Sequence, residues 1–289
     1  MADLTLRLAT NVEGDLFVDE SCIDCATCRW MAPEIYDAAE GRSRVHSQPT
    51  SEGERLRALQ ALIACPTASI GTKTKEGMAA AVASFPIPVT DDVFHCGYHA
   101  ESSFGAASWL IRRPEGNVLV DSPRFAAPLV RRLEELGGVA TLFLTHRDDV
   151  ADHARFAEHF GCERILHEAD QSSGTRDVER VISGDDPVHL ADDLMILPVP
   201  GHTRGSCVLI YDERVLFSGD HLAWSNDRGH LVAFRRACWY DWDRLKDSMA
   251  RLARYRFEWV LPGHGWPCRF PPADMARELQ RCQDWMETL

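Results

Sequence analysis

The chain has 289 residues, 45% hydrophobic and 26% charged, a globular composition that excludes disorder as the default and allows one large domain or two ordinary ones. Its formal net charge of −13 argues against nucleic acid as the main partner, because phosphate contacts need clustered Lys and Arg. The opening stretch MADLTLRLATNVEGDLFVDE lacks a basic start followed by an apolar core, and charges break every apolar run before bilayer-spanning length; a cytoplasmic protein with no membrane span is expected.

Ten cysteines in such a chain point to metal rather than to disulfides. Cys22, Cys25 and Cys28 form the run CIDCATC, and Cys65 is followed by Pro66. Two intervening residues let successive thiolates converge on one centre from a tight loop, and a fourth returning from a distance closes a cuboidal iron–sulfur cluster. Zinc also takes CxxC pairs, but three cysteines at this spacing crowd a tetrahedral ion. The stretch CIDCATCRWMAPEIYD, with CPTASI later, resembles bacterial-type ferredoxins that carry a single cluster, over roughly the first 75 residues. The resemblance implies one [4Fe-4S] cluster on Cys22, Cys25, Cys28 and Cys65, since a cysteine stands at the middle position and no second triplet precedes the distant Cys-Pro. It also implies that the helical stretch SEGERLRALQALIAC fills the space of a lost second cluster.

The domain limits expected are 1–75 for the ferredoxin-like module, 76–90 for a linker and 91–289 for a second domain with a C-terminal helix. EGMAAAVASFPIPVTDD reads as the connector, extended at Pro86 and Pro88, or its apolar half packs as an edge strand of the next domain. Beyond it, strands and helices alternate. ASWLIRRPEGNVLVDSP reads as a hairpin, FAAPLVRRLEELGG as an amphipathic helix, and VATLFLTH as a buried strand ending at His146. ERILHEAD, DLMILPVPGH, SCVLIYD, RVLFSGDH and EWVLPGHG read as further strands, and RLKDSMARLARYRF as a helix. His146, Asp148, Asp149, Asp152, His153, His202, Asp220 and His264 fall just past strand ends, where α/β folds place their sites. A lone histidine is an ordinary core or surface residue more often than a ligand, but four among carboxylates are harder to set aside. One aspartate of HRDDVADH is expected to cap a helix through HARFAEHF.

The ordered set THRDDVADH, PGHTRGS, SGDH and PGHG resembles the metallo-β-lactamase superfamily over roughly residues 91–270. The resemblance implies an α/β protein overall: an αββα sandwich with a two-metal site, beside an α+β ferredoxin-like module. By motif position His202 would bind the first metal, Asp220 would bridge both, His264 would bind the second, and Asp121 would orient ligands from beneath. The first motif departs from the family's His-x-His-x-Asp-His. The mapping preferred gives His146 and Asp148 to the first metal and Asp152 and His153 to the second. Helical spacing offers a rival in which Asp149 shares a face with Asp152 and His153 and replaces Asp148 or Asp152.

A carboxylate in place of an imidazole favours iron over zinc. Flavodiiron members of the superfamily likewise carry a carboxylate at that position. The expected function is a diiron oxidoreductase reducing a small molecule such as O₂, peroxide or NO, with Asp220 and His202 in the catalytic centre. Electrons would come from an external one-electron donor (a ferredoxin, flavodoxin or reductase) through the chain's own cluster. A homodimer would let one chain's cluster serve the other's metals. The competing expectation is a metal-dependent hydrolase of thioesters, esters or phosphodiesters, because metal-activated hydroxide needs no electrons and the cluster would then be structural or a redox sensor. His95, Tyr98 and His99 are expected to line the pocket mouth and relay protons, or to be ordinary loop residues.

Overall fold

The computed structural model describes residues 2–289. The chain divides into two compact units, one comprising the sequence through Asn117 together with Pro123–Val139, the other Val118–Ser122 together with Ala140–Leu289.

In the first unit, strand β1 (Leu16–Val18) pairs antiparallel with β4 (Ile70–Thr72), and β2 (Tyr36–Ala39) forms a hairpin with β3 (Arg42–Val45). The hairpin turns at Glu40 and Gly41, both at positive φ, the geometry that matches the twist of two-residue hairpins. Asn11 is buried and fully used: its amide donates to the Leu8 and Val18 carbonyls, and its Oδ1 accepts from Val18 N–H at 3.0 Å and Val45 N–H at 2.9 Å. Helix α1 (Thr27–Met31) starts within the cysteine run. Helix α2 (Glu52–Ala64) is the one expected from the sequence, capped by Ser51, whose hydroxyl accepts from Glu54 N–H at 3.2 Å. Its Ala58, Leu59, Ala61 and Ala64 are buried.

Residues 76–90, expected as a connector, carry structure of their own: helix α3 (Met78–Ala83) and strand β5 (Ile87–Pro88). Small alanines let α3 lie close to α2, where Gln60 donates to the Ser84 hydroxyl at 2.9 Å. Strand β5 is the edge of an antiparallel set with β6 (Val93–His95) and β7 (Trp109–Ile111). The compact units therefore divide elsewhere than at 76–90. Helix α4 (Ala127–Glu135) completes this unit, burying Leu129, Val130 and Leu133.

In the second unit β8 (Val118–Val120), β9 (Thr141–Phe143), β10 (Glu163–His167) and β11 (Arg180–Ile182) are parallel and in that order. Val118–Val120 and Leu142–Phe143 are buried at successive residues, as in strands covered on both faces. Helix α5 (His153–Phe160) leads into β10 and ends at Gly161, φ +65. A second sheet runs in the order β12 (Val188–Ala191), β13 (Leu194–Pro198), β14 (Cys207–Tyr211), β15 (Val215–Gly219), β18 (Trp259–Pro262) and β19 (Cys268–Arg269). It is antiparallel except between β15 and β18. Strands β16 (Ala223–Ser225) and β17 (His230–Val232) form a separate hairpin. Helices α6 (Trp242–Leu252) and α7 (Pro272–Met286) bury Leu245, Met249, Leu252, Met275, Leu279 and Met286 in a core with Leu197, Val208, Leu216 and Val260. Among the described residues no helix is long and apolar enough to cross a membrane.

Candidate metal centres

Cys22, Cys25, Cys28 and Cys65 line one pocket, together with Ile23, Thr67 and Ser69. Asp24 and Ala26 take positive φ, and these reversals turn the CxxCxxC backbone so that its sulfurs face inward. Cys65 ends α2, and Ser69 N–H donates to its sulfur at 3.3 Å. No cysteine among the described residues is in a disulfide. Burial pushes the Cys25 and Cys28 thiols upward, and the neighbouring cysteines push the same way, as expected of four sulfurs gathered to share a positive centre. Four thiols converging on one pocket are the donor set of a cubane cluster.

The second constellation lies within the other unit and is built from strand ends. Strand β8 delivers Asp121; β9 delivers Thr145, His146, Asp148 and Asp149; β13 leads to His202; β15 to Asp220; and β18 to His264. His146 Nε2 is 3.9 Å from Asp148 Oδ2, from Asp149 Oδ2 and from Asp220 Oδ2. His202 Nε2 is 3.6 Å from Asp148 Oδ2 and 3.8 Å from Asp220 Oδ2. His264 Nδ1 meets the two Asp220 oxygens at 2.8 and 2.9 Å. Ligand atoms of His146, Asp148 and His202 lie within 4.8 Å of one another, and so do those of His146, Asp149 and Asp220.

Several of these buried atoms have no hydrogen-bond partner: His146 Nε2, both Asp149 oxygens and both His202 nitrogens. Buried polar atoms left unpaired are costly, so their convergence on a few ångströms is best satisfied by cations. Burial lowers His146 to about 4, which leaves a neutral imidazole able to ligate at neutral pH. Burial works to raise Asp220, but His264, His146 and His202 outweigh it and hold the carboxyl below its usual range. Asp149 is pushed well up by burial and then by Asp220, two like charges that need a cation between them.

The supporting residues are as specific as the gathered ones. Thr145 Oγ1 stands 3.0 Å from His146 Nδ1 and 3.0 Å from each Asp121 oxygen, and Asp121 Oδ1 also accepts from Thr145 N–H at 2.8 Å. A Thr145 hydroxyl that donates to Asp121 accepts from His146 Nδ1–H, and this leaves Nε2 bare toward the centre. Asp170, wholly buried, accepts from Arg147 N–H at 3.0 Å, Gly205 N–H at 2.8 Å and the Thr203 hydroxyl at 2.5 Å. It thereby ties the His146 loop to the His202 loop. Gly263 has no room for a side chain: a Cβ there would lie 2.6 Å from Asp149 Oδ2 and 3.0 Å from Asp220 Oδ1. Trp239 N–H donates to the His202 carbonyl at 2.8 Å, and its exposed ring sits 6.3 Å from the His202 ring.

His146, Asp148, His202, Asp220 and His264 thus lie close together. Asp152, His153 and His264 are in neither ligand group, although His264 meets Asp220 directly, and Asp149 is in one. Asp152 is the N-cap residue of α5 and lies 3.8 Å from Arg155 Nη1. His153 Nδ1 accepts from Arg164 Nη1 at 3.3 Å, and Arg164 is in turn held by Glu179. The helix begins at His153, so the i, i+3, i+4 rule does not govern Asp149, which sits in the turn before it. Thr145, Asp170 and buried His221 were not singled out in the sequence. Asp170 had a signal, an acid just past a strand in HEAD; the others had none. His95 and His99 are buried against Trp30 and Thr27 in the first unit, rather than lining a pocket mouth.

Residues 18–72 match the family described as the 4Fe-4S single cluster domain of Ferredoxin I. The chain is similar to the hydroxyacylglutathione hydrolase of Xanthomonas oryzae pv. oryzae, 31% identical over 163 residues that cover 55% of this chain and 58% of that protein. It is similar to that of Citrobacter koseri at 31% over 118 residues, 39% of this chain and 46% of that protein. The chain spans about half the length of the curated relatives it matches. Among solved structures, DIM-1 metallo-β-lactamase aligns with a TM-score of 0.53 and 16% identity over 70% of this chain and 95% of that one. BLEG-1 B3 metallo-β-lactamase aligns at 0.52 and 16% over 67% and 99%. At such identities the likeness establishes a mixed α/β metallo-β-lactamase fold.

Proposed function

We propose that this chain, a single-cluster 4Fe-4S ferredoxin domain joined to a metallo-β-lactamase fold, is an iron-dependent oxidoreductase that reduces a small molecule such as O₂, peroxide or NO. The observation that carries the reading is the grouping of His146, Asp148 and His202. Two imidazoles and one carboxylate with positions left open are the donor set of non-haem ferrous sites, whereas closed zinc sites favour His and Cys. Asp149, Asp220 and His264 would hold a second ion. Bound iron would supply single-electron and Lewis-acid chemistry at this centre. The protein's own part is to keep His146 in the tautomer that faces the metal, through Thr145 and Asp121, and to fix the two ligand loops through Asp170. The cluster domain gives the reading its electron supply: an external one-electron donor in the cytoplasm would deliver electrons to the cysteine-bound cluster.

A second reading is a metal-dependent hydrolase, favoured by the similarity to hydroxyacylglutathione hydrolases. Its substrate would be a thioester or related ester, attacked by metal-activated hydroxide, and its cluster would be structural or a redox sensor. Anaerobic purification followed by metal analysis and turnover separates the two. Iron in the second centre and consumption of O₂, peroxide or NO once dithionite is added support the first reading. Stoichiometric zinc, with thioester hydrolysis indifferent to the redox state of the cluster, replaces it with the second.

A further inference from the structure

The first unit holds a buried polar chain that the proposed function does not use. His95, on β6, and His99, just after it, are 3% and 0% exposed, and their Nε2 atoms are 2.8 Å apart. The walls around His95 are aromatic: Trp30, Phe85 and Trp109 stand 4.9, 6.3 and 5.1 Å from its ring. One contact assigns the protons. The Gly105 carbonyl lies 2.7 Å from His99 Nδ1, and a carbonyl only accepts, so Nδ1 carries hydrogen. In a neutral ring Nε2 is then bare and accepts from His95 Nε2–H.

Thr27 Oγ1 lies 3.2 Å from the same His99 Nδ1, so that N–H is shared between the Gly105 carbonyl and the Thr27 oxygen. Thr27's own hydrogen then has two acceptors within reach, the Gly105 carbonyl at 3.3 Å and the Cys25 sulfur at 3.4 Å. The carbonyl can accept a second hydrogen beside that of His99, but a charged sulfur is the stronger acceptor. A cysteine sulfur bound to iron is a thiolate and only accepts. The loop is also seated closely on this cysteine: a Cβ on Gly105, φ +86, would lie 3.0 Å from Cys25 Sγ.

We propose that Thr27, held in place by His99, donates a hydrogen bond to the Cys25 sulfur and thereby raises the reduction potential of the cluster. The inference rests on Cys22, Cys25, Cys28 and Cys65 being the cluster's ligands. Reduction adds negative charge that is shared by the cluster sulfurs, and a donor aimed at one of them stabilises the reduced form more than the oxidised one. The effect is large where water is excluded, as it is around Thr27 and His99. Thr27 acts on the cluster directly; His99 is a positioning residue, and His95 fixes its ring. Burial and the His99 ring keep His95 well below its ordinary pKa, so His95 brings no charge to the cluster. Both histidines lie outside residues 18–72, so the control comes from sequence beyond the cysteine-bearing domain.

The test is a redox titration of the full-length, cluster-loaded protein, followed by absorbance and by paramagnetic resonance of the reduced form. Thr27→Val is expected to move the midpoint negative, and Thr27→Ser to stay near the parent value. His99→Asn, whose amide can take the place of Nδ1–H, is expected to stay near the parent, and His99→Phe to move negative as Thr27→Val does. Parent midpoints in both Thr27→Val and His99→Phe, at full iron and sulfide content, overturn the proposal. A shift in Thr27→Val alone overturns the part given to His99. Should Thr27→Val assemble no cluster, His99→Asn against His99→Phe decides in the same way. A parent chain without iron and sulfide overturns the cysteine assignment itself, a failure distinct from an unmoved midpoint.

Discussion

Asp148 stands where the metallo-β-lactamase pattern has an imidazole, and it is the one member of the His146, Asp148, His202 group that is partly exposed. The His202 imidazole, 3.6 Å away, holds its carboxyl below the usual range, so it remains a hard, charged oxygen donor at neutral pH. Asp148→His is therefore expected to exchange iron for zinc in cells given both metals, read by metal analysis, and to cost the reductase at least the ~10–100-fold that altering a ligand's hydrogen-bond partner costs. Unchanged iron content in that variant would remove the basis of the iron assignment. Gly263 makes the complementary case, because only hydrogen fits between Asp149 and Asp220. Gly263→Ala is expected to push the carboxylates apart and reduce bound metal from two ions per chain toward one. The grouping of His146, His202, Asp220 and His264 was legible in the sequence because each ends a short apolar strand. The proximity of Asp149 to His146 and Asp220 was not, because the turn ahead of α5 has no periodicity from which its side-chain directions can be read.

At the scale of elements, α5 is the piece whose placement decides which acids reach the site. Arg164 on β10 donates to His153 at its first residue and clasps Glu179 with Nε at 2.9 Å and Nη2 at 2.7 Å. The Arg164 hydrogen bonds lower Glu179 from 4.5 to about 2. A carboxyl depressed on folding adds stability that is complete above its unfolded pKa and is lost as pH falls through the folded one. Glu179→Gln is thus expected to lower the urea midpoint at pH 7, and the gap from the parent should close as pH falls from about 4.5 to about 2. Glu179 is partly exposed, so the gap should be modest. The strands of this unit were readable from their apolar runs. Helix α3 was hidden because MAAAVA has no polar face to set a helical period, and what orders it is the contact with α2.

At the scale of the whole molecule, two metal centres sit in two compact units with unequal means of support. The second unit has a large core of β13–β18 under α6 and α7. The cysteine-bearing module has two-stranded sheets, and its four thiols converge on one pocket. Binding that exists only in the folded state adds directly to stability, so Cys65→Ser is expected to open residues 2–75 to protease while a resistant fragment of the second unit persists. Fragments of equal lifetime from both regions would show a cluster without structural weight. The loop from Ala233 to Asp241 carries one further consequence. Trp239 is 61% exposed and is tethered through its own N–H to the carbonyl of His202. That makes it a built-in fluorophore beside the centre: its emission, obtained as the difference from Trp239→Phe, should be quenched when a paramagnetic ion enters and restored by chelation, so that occupancy can be followed in unlabelled protein.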